Sequence, residues 1–200
     1  YGPDGKVLSF SEVATQASYK NGGTVIVGRG NYVPTNVTIA DKNTVYGNIS
    51  PSCCFECQIA EVEVDKETGE VTLLNIHTEH DIGKAINPMA VEGQIEGGIC
   101  NGVGYALTEK LHWDKDGKII NPDYRDYRLP TMMDMPEISI GLIEPVDKYG
   151  PFGAKSVAEA SVVPTAAAIA VAIYNAVGII PDELPFIPEV LARLIEENEK

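Results

Sequence analysis

The sequence predicts an α+β fold in which β-hairpins and a mixed sheet pack against a few helices. Residues 58–65 and 71–77 both alternate apolar and polar side chains, and a turn at residues 66–69 separates them. This pattern indicates a hairpin with one solvent-exposed and one buried face. Residues 88–107 repeat apolar side chains at helical spacing, and residues 161–177 form a longer apolar run. Some segments repeat apolar residues every two positions, as strands do, and others about every 3.6 positions, as helices do. This combination favours the α+β class over an all-helical or all-β chain.

The first elements expected along the chain are a short helix and a strand. Ser9 and Glu12 have the spacing of a capping box, which predicts a helix that runs to about Lys20. Residues 24–32 resemble a strand. Residues 35–51 show no clear period, and we expect an excursion from the fold or the rim of an insertion there.

The helix expected over residues 88–107 carries several glycines along one side. Pro88 suits its first turn, because the missing N–H would have no partner there. Glycine costs helix stability, so the glycines predict close approach of this helix to another backbone or to a ligand. These residues are Gly93, Gly97, Gly98, Gly102 and Gly104.

The remaining elements are predicted from turn and cap signals. Residues 111–120 resemble a second hairpin with Asp-Gly at its turn, and residues 137–143 resemble a strand. Ser161 is expected to cap the apolar helix, which Gly178 ends. Residues 188–197 predict a final amphipathic helix.

Composition excludes several classes of function. The chain has 200 residues, of which 44% are hydrophobic, so it can bury a core. With 29 acidic and 15 basic residues its net charge is −14, which disfavours nucleic acid and anionic membrane surfaces as partners. Residues 158–180 are apolar but interrupted by polar residues, so we expect a buried helix and not a membrane span. The first methionine is Met89, and we expect the chain to be a piece of a longer protein.

The cysteines and histidines do not predict a metal site. The four cysteines, at positions 53, 54, 57 and 100, suit neither a disulfide framework nor a paired zinc motif, which favours a reducing cytoplasm. Cys54 and Cys57 have Cys-x-x-Cys spacing but lack a second pair. His77, His80 and Asp81 follow a strand without an evident third ligand nearby, so structural roles are expected for them.

The segment Gly150-Pro-Phe-Gly-Ala-Lys-Ser-Val-Ala-Glu159 is the main candidate for chemistry. It places two glycines, a lysine and a carboxylate directly before the apolar helix. Unsatisfied amides and partial positive charge lie at a helix entrance, where an anionic group can be held. Glu159 is therefore a candidate base. The alternative is a solvated or N-terminal helix carboxylate that only complements the helix dipole.

An ordered series of motifs resembles the molybdenum hydroxylases, the xanthine dehydrogenase and aldehyde oxidase family. The series runs through Gly28-Arg-Gly30, residues 60–65, Asp81-Ile-Gly83, Asn87-Pro88, Gly93-Gln94 and residues 150–159. The resemblance covers nearly all of residues 1–200 and identifies them as a lobe of the molybdopterin-binding domain, in the C-terminal part of the large subunit. Such enzymes hydroxylate a heteroaromatic or aldehyde carbon with water-derived oxygen.

The resemblance also implies the roles of individual residues. Glu159 would be the general base, and Gln94 with Gly93 would contact the molybdopterin cofactor, as would Lys155 and Ser156. No residue of this chain would bind the metal directly. The 2Fe-2S clusters and FAD are expected on other domains or subunits, which would be partners together with the remainder of the molybdopterin subunit and a small-molecule substrate.

Some features leave alternatives open. The family commonly has Gly before the glutamate and Pro or Gly after it, whereas this chain has Ala158 and Ala160. A non-catalytic acidic interaction or scaffold domain with the same fold is therefore the alternative function. Gln94 could instead satisfy a backbone group within a packed helix face, and Lys155 could pair with the acidic surface.

Overall fold

A computed structural model describes residue 5, residues 7–23, residue 25 and residues 27–198, arranged in two compact units, Tyr1–Thr35 and Asn36–Lys200. The first unit contains helix α1 (Phe10–Lys20). The Ser9 hydroxyl accepts from the Glu12 amide, and the Glu12 carboxylate accepts from the Ser9 amide, so the predicted capping box is confirmed.

The strand predicted over residues 24–32 is wrong for the residues that can be judged. Residues 24 and 26 lie outside the described residues, and residue 25 and residues 27–32 are exposed and form no strand. Apolar side chains alone do not make a strand, because its N–H and C=O groups need a partner ladder. Residues 35–51 contain neither helix nor strand, as the missing period predicts.

The second unit contains a mixed three-stranded sheet in the order β1-β2-β3. Strands β1 (Glu56–Val64) and β2 (Val71–Asp81) form the predicted hairpin, and β3 (Glu137–Ile143) pairs parallel to β2. Every second residue of β1, starting from Glu56, faces inward. The hairpin turn closes through the Asp65 carboxylate, which accepts from the amides of two following residues.

Helices cover one face of this sheet. Helix α2 (Pro88–Leu107), helix α3 (Thr165–Val177) and helix α4 (Pro188–Asn198) surround a core of aliphatic side chains. Asn87 caps α2, because its side-chain oxygen accepts from the Ala90 amide. Fully buried aliphatic side chains in the described part of the chain include Ile76, Ile95, Ile99, Ile169, Ile173 and Leu191.

The predicted hairpin at residues 111–120 is reduced to a turn with one bridge, between Trp113 and Ile119. The Asp114 carboxylate accepts from the amides of residues 116 and 118 and so organises the turn. No regular strand forms in residues 111–120, which are largely exposed and thus have little apolar contact to extend the ladder.

The apolar helix begins later than predicted and is buried along one face only. Ser161 does not cap it, because its hydroxyl donates backwards to the Ala158 carbonyl within a short 3-10 helix, Ala160–Val162. By length and composition Ala160–Val177 is apolar enough to cross a membrane, with mean hydropathy 1.7 and 22% of the segment buried. Thr165, Ile169 and Ile173 are buried, whereas Val171 is exposed, so the expectation of a buried helix holds for one side.

Candidate functional site

The segment from residue 150 to residue 159 is a bend docked on the end of β2. The Asp147 carboxylate accepts from the amides of Tyr149 and Gly150, at 2.7 and 2.6 Å, and organises the entry to the bend. Gly153 has φ of 85°, where a side chain would be strained, and its carbonyl accepts from Lys84 N at 2.7 Å. The bend is therefore held to the sheet by its backbone.

Lys155 anchors the bend through its side chain as well. Its Nζ lies 2.6 Å from Asp81 Oδ2 and 3.0 Å from the Cys53 carbonyl, and the Lys155 and Asp81 side chains are only 10% and 11% exposed. The hydrogen bond to Asp81 raises the pKa of Lys155 above its usual range. The structure thus pairs Lys155 with a largely buried carboxylate and not with the acidic surface.

Glu159 directly precedes the 3-10 helix, and its side chain is exposed. It makes no side-chain capping hydrogen bond, and its exposure is compatible with both readings of the sequence, a candidate base and a solvated carboxylate that complements the helix dipole. Within the part of the chain that the structure describes, its carboxylate has no hydrogen-bond or ion-pair partner. Ser156 is also exposed, and its carbonyl accepts from Cys54 Sγ at 3.1 Å.

Gln94 lies on the exposed side of α2, close in space to the segment that carries Glu159. The connection is Ser161, whose Oγ lies 2.9 Å from the Ala158 carbonyl and 3.5 Å from the Gln94 carbonyl. The Gln94 amide itself makes no hydrogen bond among the described residues, so it does not satisfy a backbone group as the alternative required. The structure thus places Gln94 and Glu159 in one region.

Four of the five α2 glycines named above divide into two groups. A methyl group at Gly98 would collide with the Ser161 side chain, and one at Gly102 would collide with Thr165, which confirms close approach. A methyl group at Gly93 or Gly97 would meet no atom within 4 Å. Gly93 and Gly97 therefore border open space beside Gln94.

A buried polar cluster behind the bend was not predicted. Glu56 Oε1 lies 3.0 Å from His80 Nε2 and accepts from Gln58 Nε2 at 2.7 Å. Gln58 Nε2 also donates to the Ser161 carbonyl at 3.0 Å, and Thr165 Oγ1 donates to Gln58 Oε1 at 2.8 Å. The available signal was that two polar residues, Glu56 and Gln58, occupy inward positions at the start of β1.

Burial controls the protonation of this cluster. The Glu56 and His80 side chains are 7% and 2% exposed. Burial raises the pKa of Glu56 to about 7 and lowers the pKa of His80. Glu56 Oε2 is buried without a partner, which is less costly for a neutral acid than for a carboxylate. Burial therefore favours the uncharged form of both side chains.

No group of three or more His, Cys, Asp or Glu side chains is arranged to hold a metal ion within the described ranges. His80 contacts Glu56 and Thr78, and His77 lies 3.3 Å from a carboxylate oxygen of Glu79. The four cysteines are free thiols.

Comparisons with known proteins assign the family. The model of the molybdopterin cofactor-binding domain matches residues 2–136. The xanthine dehydrogenase molybdenum-binding subunit of Escherichia coli O157:H7 is 38% identical over 144 residues, which are 72% of this chain and 19% of that protein. The probable hypoxanthine oxidase XdhD of Escherichia coli (strain K12) is 33% identical over 191 residues, 95% of this chain and 18% of that protein, so the similarity includes the bend.

Solved structures agree with this assignment. The aldehyde oxidoreductase from Desulfovibrio gigas has a TM-score of 0.83 at 27% identity, over 98% of this chain and 20% of that chain. Quinoline 2-oxidoreductase from Pseudomonas putida 86 has a TM-score of 0.64 at 32% identity, over 68% of this chain and 18% of that chain. The chain thus spans about a fifth of the length of the proteins it matches.

Proposed function

This chain belongs to the molybdopterin cofactor-binding domain family of molybdenum hydroxylases, and on that premise we propose that it forms the C-terminal part of a large catalytic subunit in which Glu159 is the general base. The reaction would hydroxylate a heteroaromatic or aldehyde carbon with water-derived oxygen. Because the chain spans about a fifth of its relatives, it would be inactive alone.

The residues near Glu159 fit a bound molybdopterin group. Gly93 and Gly97 border open space, so the α2 backbone can approach a planar ligand there. The Gln94 amide has no partner among the described residues, and it can donate to and accept from pterin or oxo groups. When bound, the cofactor would supply the redox chemistry.

Glu159 is suited to hold a proton. Its carboxylate has no competing partner in the described part of the chain, while its backbone is held by hydrogen bonds on both sides. A general base needs to reach the proton within about 2.6 to 3.2 Å, so a fixed backbone with an uncommitted side chain favours this role. This combination is the observation that carries the proposal.

Lys155 and Ser156 would contribute differently. The Lys155 ammonium already binds Asp81 and the Cys53 carbonyl, which supports a role in holding the bend over direct cofactor contact. The exposed Ser156 could contact the cofactor directly. Ala158 is exposed and the neighbouring Ala160 half-buried, so the methyl groups that depart from the family pattern are accommodated in this chain.

Other parts of the assembly follow from the same premise. The remainder of the molybdopterin subunit, with 2Fe-2S and FAD on further domains or subunits, would complete the enzyme and carry electrons away. The free thiols and the net charge of −14 support a soluble cytoplasmic enzyme that binds a small-molecule substrate and not nucleic acid or membrane.

The test is Glu159→Gln in the complete enzyme. We expect kcat to fall by about 10²- to 10⁴-fold while molybdenum and pterin contents stay at the wild-type level, because only proton transfer is removed. Glu67→Gln, which changes an exposed carboxylate on the hairpin turn, is the matched control and should leave kcat unchanged. Normal turnover in Glu159→Gln would reject the base, and a folded wild-type assembly without molybdenum or pterin would favour the scaffold alternative.

A further inference from the structure

The two peptide groups that flank Glu159 are both fixed by hydrogen bonds. The Ala158 carbonyl accepts from Ser161 Oγ at 2.9 Å, and the Glu159 carbonyl accepts from the Val162 amide at 3.3 Å. Peptide groups are planar, so fixing both of them also fixes the direction of the Cα–Cβ bond between them. The aim of the Glu159 side chain therefore depends on where Ser161 and Val162 are held.

Ser161 is held from the opposite side by β1. Its carbonyl accepts from Gln58 Nε2 at 3.0 Å and lies 2.9 Å from Thr165 Oγ1. Both N–H groups and the oxygen of the Gln58 amide have partners, because Nε2 also donates to Glu56 and Oε1 accepts from Thr165. The amide cannot rotate without breaking several of these bonds at once.

Helix α2 closes the arrangement. Gly98 has no side chain, so Ser161 can pack directly on the α2 backbone, with its Oγ 3.5 Å from the Gln94 carbonyl. Ser161 and Thr165 are both fully buried. Buried hydrogen bonds of this kind hold geometry firmly, because breaking one leaves a polar group without water.

We propose that Gln58, Ser161 and Thr165 form a buried polar bridge that positions the Glu159 carboxylate relative to Gln94 during turnover. These three are positioning residues, since they act through the backbone of the bend. The proposal rests on the proposed function of Glu159 and extends it to side chains more than a hundred residues apart in sequence.

Thr165 offers a clean pair of variants. Thr165→Val keeps the shape and removes the hydroxyl, whereas Thr165→Ser keeps the hydroxyl and removes a methyl group. Thr108→Val is the matched control, because the Thr108 hydroxyl is also buried but has no hydrogen-bond partner among the described residues. All three are made in the complete, cofactor-loaded enzyme.

We expect Thr165→Val to lower kcat by about 10- to 100-fold with KM and molybdenum content little changed, because a displaced base slows the reaction without weakening substrate binding. Thr165→Ser should restore most of the loss, and Thr108→Val should stay close to wild type. Hydrogen exchange of peptides covering residues 158–165 should quicken in Thr165→Val alone, with or without cofactor.

The outcomes separate this inference from the function on which it rests. Wild-type kcat and exchange in Thr165→Val, or equal losses in Thr165→Val and Thr165→Ser, would overturn the bridge. An active Glu159→Gln enzyme would overturn the base assignment, and the exchange measurement would still report on the bridge. If Thr165→Val does not fold, Ser161→Ala removes the hydrogen bond to Ala158 and gives the same comparison.

Discussion

Replacing Glu56 with Gln should change how the stability of the sheet depends on pH. The Glu56 side chain is 7% exposed and faces His80 at 3.0 Å, and burial raises its pKa from its ordinary value of 4.5 to about 7. The folded protein therefore retains a proton that the unfolded chain releases between these two values. The stability contributed by this proton is fully present below pH 4.5 and is lost as the pH rises through about 7.

The size of the effect follows from the two pKa values. Each pKa unit corresponds to about 1.4 kcal/mol, so the difference between 4.5 and about 7 is worth ~3 kcal/mol at alkaline pH. Gln has the size of the protonated acid and cannot ionise, so Glu56→Gln removes this term. The lowered pKa of His80 acts in the opposite sense, because burial disfavours its charged form as the pH falls. Because His80 contacts Glu56 at 3.0 Å, the two contributions are coupled, and making the comparison in a His80→Gln background removes the His80 contribution.

Native-state hydrogen exchange in the complete protein measures this difference. Opening free energies of the β1 and β2 amides, corrected for intrinsic exchange, are compared at about pH 5 and about pH 8. We expect Glu56→Gln to gain roughly 2.5 kcal/mol on wild type between the two conditions, because pH 5 lies above the ordinary pKa of 4.5 and part of the term is already lost there. Glu63→Gln, an exposed position on the same strand, should show no such gain. An equal difference between variant and wild type at both pH values would refute a buried, protonated Glu56.

Three further predictions concern the bend and α2. Gly98→Ala should destabilise the protein by about 1–3 kcal/mol, because the new methyl group collides with the Ser161 side chain. Gly97→Ala should instead stabilise it by up to about 1 kcal/mol, because the methyl group meets no atom and alanine favours the helix. Urea unfolding measures the free energy of unfolding of both variants. Lys155→Met should lower the free energy of unfolding by about 3–5 kcal/mol, because it leaves the buried Asp81 carboxylate unpaired. Adding Asp81→Asn should restore stability, and a double-mutant cycle measures that coupling. Gly93→Ala should keep the fold but reduce molybdenum content, and an unchanged content would exclude cofactor approach at that position.

Elements with a strong local signal were predicted well. The capping box of α1, the β1–β2 hairpin and the proline-started helix α2 all formed as expected. Their determinants lie within a few residues of one another, as in the exchange of hydrogen bonds between Ser9 and Glu12. The family was also predicted from an ordered series of short motifs, and the comparisons confirm it.

Elements that depend on distant partners were predicted less well. Residue 25 and residues 27–32 have the composition of a strand but form no ladder, and residues 111–120 keep only a turn with one bridge. Ser161 has the residue type of a helix cap, yet its carbonyl is bound by Gln58, which lies 103 positions earlier. No local pattern carries that information, because the partner is selected by the fold.

The chain's own sequence determined its helices, its hairpin, its family and the identity of the candidate base, since these depend on short-range periodicity and on motifs that can be read in order. Tertiary structure alone decided that the lysine of the bend pairs with Asp81 and that a buried polar bridge lies behind Glu159. Hydrogen-bond partners far apart in sequence meet only when strand and helix pack together, and burial then sets both their geometry and their protonation.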